Sequence, residues 1–417
     1  MRLRQTWQLA MMLAVWTMTS CRRPVTTAST REHASDRKVL LVSLDGFRAD
    51  YITRPPAVRL RALAAAGVRA ERLVPSFPSK TFPNHYTLVT GLYPEHHGIV
   101  ANAMYDSVIG KRFTIADTAV THDPRWWGGE PFWTTAERQG KKAASFFWVG
   151  SDIQIKGHVP TWYRTYDVAV PDDERVNTVL SWLAMPNGPS FVSAYFNTAD
   201  DAGHNHGPDS PEADGAIAHL DSLIGALVDG IARRGLTNAV DLIVVSDHGM
   251  APLSADRVIY YDDYIDLSTV TIVDPSPVGA LVPKAGQLEA LYARLKGAHP
   301  HMQVYRKGEV PARLHFNDNT RITPLVVIAD EGWTLTTHAA AARSGPPHGG
   351  THGYDNLLPS MGALFVAAGP DFRQGFVSPP FQNIHVYSLL ATLLGVTPAP
   401  NDGSADSTRQ LLRRTVH

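Results

Sequence analysis

The sequence predicts an α/β fold: a doubly wound, mostly parallel sheet with helices on both faces, and a smaller α+β insertion. Three observations carry that expectation. The runs KVLLVSLDG (38–46), PSFVSAYFNTAD (189–200) and VDLIVVSDHG (240–249) are continuously apolar, as buried parallel strands are, and each ends on an acidic residue. Helical patterning lies between them, most clearly after Pro211, where Ile217, Leu220, Ile224, Leu227 and Ile231 form one apolar stripe that Gly235 is placed to stop. The pattern breaks over about 255–340, where GQLEALYARLKG reads as a helix among the short strands VGALVPK, MQVYRK and TPLVVIAD.

From the N-terminus, MRLRQTWQLAMMLAVWTMTSC reads as an export signal over residues 1–21: two arginines, a short apolar core, then small polar residues. It is too short and wrongly flanked for a spanning helix. Cys21 is the only cysteine, so the chain makes no internal disulfide. MTSC resembles a bacterial lipoprotein cleavage site, at which a lipidated Cys21 would anchor the chain to a membrane. A plain cleaved signal is the alternative. Residues 22–36 are polar and aperiodic and read as a tether, which leaves 37–417 as the folded domain. Periplasmic or cell-surface location is the expectation.

Composition narrows the function. With 44% hydrophobic residues, 18% charged residues and a net charge of -1, the chain is ordinary globular protein. It lacks the basic surplus of a dedicated binder of polymeric nucleic acid. A small anionic substrate held by metal ions remains open. Beyond the insertion, MGALFVAAGPDF resumes the main sheet and HVYSLLATLLG reads as the last helix.

Doubly wound sheets bind ligands beyond the carboxyl ends of their strands, so the three acidic strand ends point to one rim. Six residues stand out there in glycine-rich contexts: Asp45, Asp200, His204, Asp247, His248 and His352. Three carboxylates and three imidazoles suit two Zn²⁺ ions with three protein ligands each. Any one of these pieces is common turn chemistry; the set is not. Two dications against three carboxylates leave a positive surplus that favours a phosphate, and each metal keeps an open position.

A two-metal phosphoryl-transfer site needs a nucleophile, either water or an activated hydroxyl. The stiff stretch PSFPSKTFPNH (75–85) supplies one. Thr81 opens a helix with Pro83 in its first turn, where the helix dipole lowers the cost of an alkoxide. Ser76 and Ser79 compete with it, and Lys80 reads as a surface lysine.

The motifs LDGFR, PSFPSKTFPNHYTLVTGLYPEHHGI, DDAGHNHGP, SDHGM and HGYDN, in that order over about 38–356, resemble the nucleotide pyrophosphatase/phosphodiesterase family of the alkaline phosphatase superfamily, in its compact bacterial form. The resemblance implies that Thr81 is the nucleophile of a phospho-threonine mechanism. It implies that Asp45, Asp247 and His248 hold the zinc beside Thr81, and that Asp200, His204 and His352 hold the second, near the leaving group. It also implies that Asn102 donates to a nonbridging phosphate oxygen and that Phe82 and Tyr195 sandwich a nucleobase. Where the family usually has Glu-Pro before the first ligand of the second zinc, this chain has Thr198 and Ala199, and Asp201 competes with Asp200 for the ligand position.

The implied activity is hydrolysis of nucleotide phosphodiester or pyrophosphate bonds with release of a nucleoside monophosphate. A phosphomonoesterase would want a further cation where Asn102 is neutral, and a sulfatase would want a Cys or Ser with a following Arg that SKTFPN lacks. Two alternatives remain. One is a lysophospholipid or phosphocholine diesterase, for which Trp126, Trp127 and Trp133 in RWWGGEPFW are a candidate cation pocket, or else a structural lid. The other is a non-catalytic zinc-dependent lipoprotein that captures nucleotides.

Overall fold

The computed structural model describes residues 37–413. The signal, Cys21 and the tether lie outside them. Eight strands form the main sheet in the spatial order Phe376–Ser378, Val68–Ala70, Phe365–Ala368, Val240–Val245, Lys38–Leu44, Phe191–Phe196, Ala143–Phe146 and Trp162–Arg164. Only Phe365–Ala368 runs antiparallel to its neighbours.

Alternation along the central strand explains why Val39–Val42 is continuously apolar. Val39 and Leu41 enter one core, with the helices Thr81–Thr90, Phe132–Arg138 and His385–Leu394. Leu40, Val42 and Leu44 enter the other, with Val58–Ala66, Asp172–Ala184 and Pro211–Arg233. Both faces are therefore covered, and the buried side chains of the strand are apolar except Ser43, whose hydroxyl meets His85 Nε2 at 2.8 Å. The stripe on Pro211–Arg233 faces the sheet, with Ile217, Leu220, Ile224 and Leu227 all at 0% exposure. That helix is long and apolar enough to cross a membrane by length and composition, but its apolar face is already used in the core.

A second, four-stranded antiparallel sheet is built from Val270–Asp274, Val278–Pro283, Leu325–Ala329 and Met302–Arg306, with the helix Leu288–Leu295 and a core of its own. The segments VGALVPK, MQVYRK and TPLVVIAD are three of these strands.

Two expectations change. Trp126, Trp127 and Trp133 are 0%, 4% and 0% exposed. They are core residues, with Trp127 packed beneath Phe82 and Tyr86, and form neither a lid nor a cation pocket. Lys80 is not a surface lysine: it is 7% exposed and paired with Asp274 at 2.7 Å.

Candidate active site

The strand Lys38–Leu44 delivers Asp45 directly beyond its carboxyl end, and Val240–Val245 delivers Asp247 and His248 two and three residues past its own. Asp200 arrives differently from the sequence expectation. Its strand stops at Phe196, and Asp200 sits in the first turn of the helix Thr198–His206, with His204 one turn on along the same face. Gly46, at φ +65°, lets these two elements meet: a Cβ there would lie 2.9 Å from both Cα and Oδ1 of Asp200. His352 follows the two-residue strand Gly350–Thr351, which pairs with Ala251–Pro252 just past His248.

These elements gather six ligand-type side chains into two groups, Asp45–Asp247–His248 and Asp200–His204–His352, with donor atoms in each group within 4.8 Å of one another. Asp201 is outside both. It is exposed and accepts a hydrogen bond from Asn197 Nδ2 at 2.6 Å. The groups adjoin, with the His248 and His352 rings stacked at 3.5 Å between centroids.

Tautomers follow from the second layer of contacts. Nδ1 of His204 lies 2.9 Å from Gly350 O, that of His352 lies 2.8 Å from Ser79 O, and that of His248 lies 2.9 Å from Gly249 O. A carbonyl only accepts, so each Nδ1 carries a proton, and in the neutral ring it is Nε2 that presents the lone pair. Those Nε2 atoms face the carboxylates: His204 to Asp200 at 3.4 Å, His352 to Asp200 at 3.7 Å, and His248 to Asp247 at 2.9 Å and Asp45 at 3.5 Å.

Asp45 Oδ1 and Asp200 Oδ1 are buried with no hydrogen-bond partner, and buried Asp247 Oδ2 lies 2.9 Å from His248 Nε2 and 3.3 Å from His85 Nδ1. Burial, then repulsion from Asp247 and Asp200, pushes the Asp45 carboxyl well above the usual range. Burial raises Asp200 to about 7. His248 rises as well, which in its case favours the charged form. Against the burial that favours its neutral form, Asp247 and Asp45 raise it to about 10. Buried carboxylates crowded this way are costly unless a cation joins them. The donor set, its tautomers and its orphaned oxygens all fit metal ions.

Beside the first group stands Thr81, the first residue of the helix Thr81–Thr90, with Oγ1 3.3 Å from His248 Nε2. Its competitors are engaged elsewhere. Ser76 Oγ donates to Asn383 Oδ1 at 2.9 Å, and Ser79 Oγ donates to Tyr354 O at 2.7 Å. Buried Asn84 staples the loop by donating to both Pro78 O and Lys80 O while accepting from Ser76 N–H. Asn102 Oδ1 accepts from Phe82 N–H at 3.0 Å, which turns its amide group away from that contact. Phe82 is partly buried and meets Phe113 edge-on at 6.1 Å.

Tyr195 does something other than offer a free ring face. Its hydroxyl donates to Asp45 Oδ2 at 2.6 Å, and its ring lies between the edges of His85 and Tyr166. Tyr166 is the exposed ring of that pair, at 49%. His85 escaped the sequence reading. Fully buried, it touches Thr81 O at 3.0 Å, Ser43 Oγ at 2.8 Å and Asp247 Oδ2 at 3.3 Å. The signal was its place four residues after Thr81 on one helix face.

Residues 39–355 match the family model described as type I phosphodiesterase / nucleotide pyrophosphatase. The chain is 38% identical to the human ectonucleotide pyrophosphatase/phosphodiesterase family member 5 over 91% of its own length and 79% of that protein. It is 39% identical to the bis(5'-adenosyl)-triphosphatase of Xenopus laevis, over 91% and 82% respectively. A solved structure of murine ectonucleotide pyrophosphatase/phosphodiesterase 5, an inactive threonine-to-alanine form in complex with AMP, superposes with a TM-score of 0.87 at 39% identity, covering 90% of this chain and all of that one.

Proposed function

The chain belongs to the type I phosphodiesterase / nucleotide pyrophosphatase family, and on that premise we propose that it cleaves small nucleotide diesters or anhydrides at a di-zinc site through a phospho-threonine on Thr81. It is a hydrolase of phosphoric diesters and phosphoanhydrides. The observation that carries the reading is the pair of adjoining metal-type groups with the Thr81 hydroxyl alongside one of them.

Asp45, Asp247 and His248 would hold one ion, and Asp200, His204 and His352 the other. Two Zn²⁺ ions would supply Lewis acidity, lowering the cost of a threonine alkoxide and balancing charge on the transferring phosphoryl group. The chain's residues do the rest. Thr81 Oγ1, deprotonated, forms a bond to phosphorus as the bond to the leaving oxygen breaks in line. Water then attacks the phosphoryl-Thr81 ester, and Thr81 regains its proton. The Asn102 amide holds a nonbridging oxygen, and fixed donors of this kind cost no reorganisation as charge develops. Phe82 offers a base an apolar surface, while Tyr195, through its hydroxyl, orients Asp45.

Nucleotides are the favoured substrates because the murine relative is described with AMP and the Xenopus relative as a bis(5'-adenosyl)-triphosphatase. The inactive threonine-to-alanine form of the former supports a threonine at the centre of the reaction. A choline-headgroup diesterase loses its support with the burial of Trp126, Trp127 and Trp133. Export follows from the N-terminal signal pattern, with Cys21 as the candidate anchor. Incubating zinc-loaded protein with diadenosine triphosphate tests the reading. AMP and ADP in equal amounts are expected, and an intact substrate at stoichiometric zinc would contradict it.

A further inference from the structure

The residue before the nucleophile carries an ammonium that the phosphate site does not receive. Lys80 Nζ turns away and donates to Asp274 Oδ2 at 2.7 Å and to Ser276 O at 3.1 Å. Both side chains are about nine-tenths buried. Asp274 ends the first strand of the four-stranded antiparallel sheet, 194 residues further along the chain. Buried ion pairs are poor stabilisers compared with apolar residues of similar size, so the presence of one calls for a reason other than stability.

The surroundings supply that reason. The Lys80 backbone is the N-cap of the Thr81–Thr90 helix, in an extended conformation, and its carbonyl is held by Asn84. The Lys80 stem runs beside Gly353, where a Cβ would lie 3.0 Å from Lys80 Cε and 3.1 Å from Pro277. Gly353 follows His352, whose Nδ1 is held by the carbonyl of Ser79. Residues 79 and 80 thus grip the His352 segment on one side while Asp274 grips Lys80 from the other.

We propose that the Lys80–Asp274 pair is a positioning device that fixes Thr81 Oγ1 relative to the Asp200–His204–His352 group, and that through it the four-stranded sheet sets the rate of phosphoryl transfer. The inference rests on the reading of Thr81 as nucleophile. Misplacement of a reacting atom by about 1 Å costs on the order of 100-fold in rate.

The test uses D274N, K80M and the double variant K80M/D274L, each checked for zinc content and thermal midpoint. Steady-state hydrolysis of para-nitrophenyl TMP and the burst of phosphorylated Thr81 are then measured. D274N is expected to lower kcat and the burst rate by roughly 10- to 100-fold, with KM within about 2-fold of wild type and full zinc. The double variant, which buries no unpaired charge, decides the matter if the single variants fold poorly. Restored thermal midpoint with kcat still depressed supports positioning. Restored midpoint with wild-type kcat overturns the proposal and leaves a structural pair. A wild type inert toward every diester would instead overturn the reading of the site, and this inference with it.

Discussion

Tyr195 donates its hydroxyl to Asp45 Oδ2 at 2.6 Å while Asp45 Oδ1, buried and without a partner, faces His248 Nε2 at 3.5 Å. One carboxylate oxygen is thus tied down and the other left free toward the candidate metal position. Partners of this kind orient a ligand, and their loss typically costs 10- to 100-fold in metal affinity.

Tyr195→Phe should therefore weaken zinc at one of the two positions by about 10- to 100-fold. Competition with a chromophoric chelator reads this directly. Affinity for AMP at saturating zinc should change little. The reverse pattern, with nucleotide binding lost and zinc intact, would return Tyr195 to the role of a base platform.

The two neighbouring aspartates should separate cleanly. Asp200→Asn is expected to reduce tightly bound zinc from two ions to one and to abolish diester cleavage, since Asp200 alone joins His204 and His352. Asp201→Asn should keep both ions and activity within about 3-fold of wild type, because an exposed carboxylate bonded to Asn197 contributes little. Equal loss in both variants would mean that the geometry has been misassigned.

Stereochemistry offers a probe independent of metals. Two in-line displacements, first by Thr81 and then by water, predict net retention at a chiral phosphorothioate diester. Inversion would indicate direct attack by water, with Thr81 a bystander.

Acid sensitivity should have an identifiable component outside the two metal-type groups. His97 is fully buried, bonded at Nε2 to Thr87 Oγ1 at 3.0 Å, and burial pushes its pKa from 6.5 down to about 3. The folded state keeps it neutral where the unfolded chain takes up a proton. Its contribution is thus present above pH 6.5 and is lost as pH falls toward about 3. The slope is about 1.4 kcal/mol per pH unit. Urea melts from pH 7 to 4 should show this slope in wild type and a shallower one in His97→Gln. Parallel curves would remove His97 from the account.

Much of the candidate rim was legible because the residues that form it are set locally. Asp45, Asp247 and His248 follow apolar runs whose directions the parallel sheet fixes. Asp200 is picked out by its distance from His204, but the helix Thr198–His206 that carries both was read as the end of a strand. Failures came where a long-range partner decides. Lys80 reads as a surface residue until Asp274 is brought against it. The contact of the Tyr195 hydroxyl with Asp45 has no local signal, and the three tryptophans look like a lid until the core closes over them. Short strands were also invisible. Ala143–Phe146 and Val68–Ala70 carry too few branched residues to stand out, and sheet pairing rather than propensity makes them strands.

Thr81 as nucleophile of a diesterase is tested by hydrolysis of para-nitrophenyl TMP against para-nitrophenyl phosphate, in zinc, by wild type and Thr81→Ala. A strong preference for the nucleotide diester is expected, with a fall of roughly 1,000-fold or more in the variant and unchanged zinc content. Efficient monoester cleavage, or diester cleavage that survives the loss of the Thr81 hydroxyl, would contradict it.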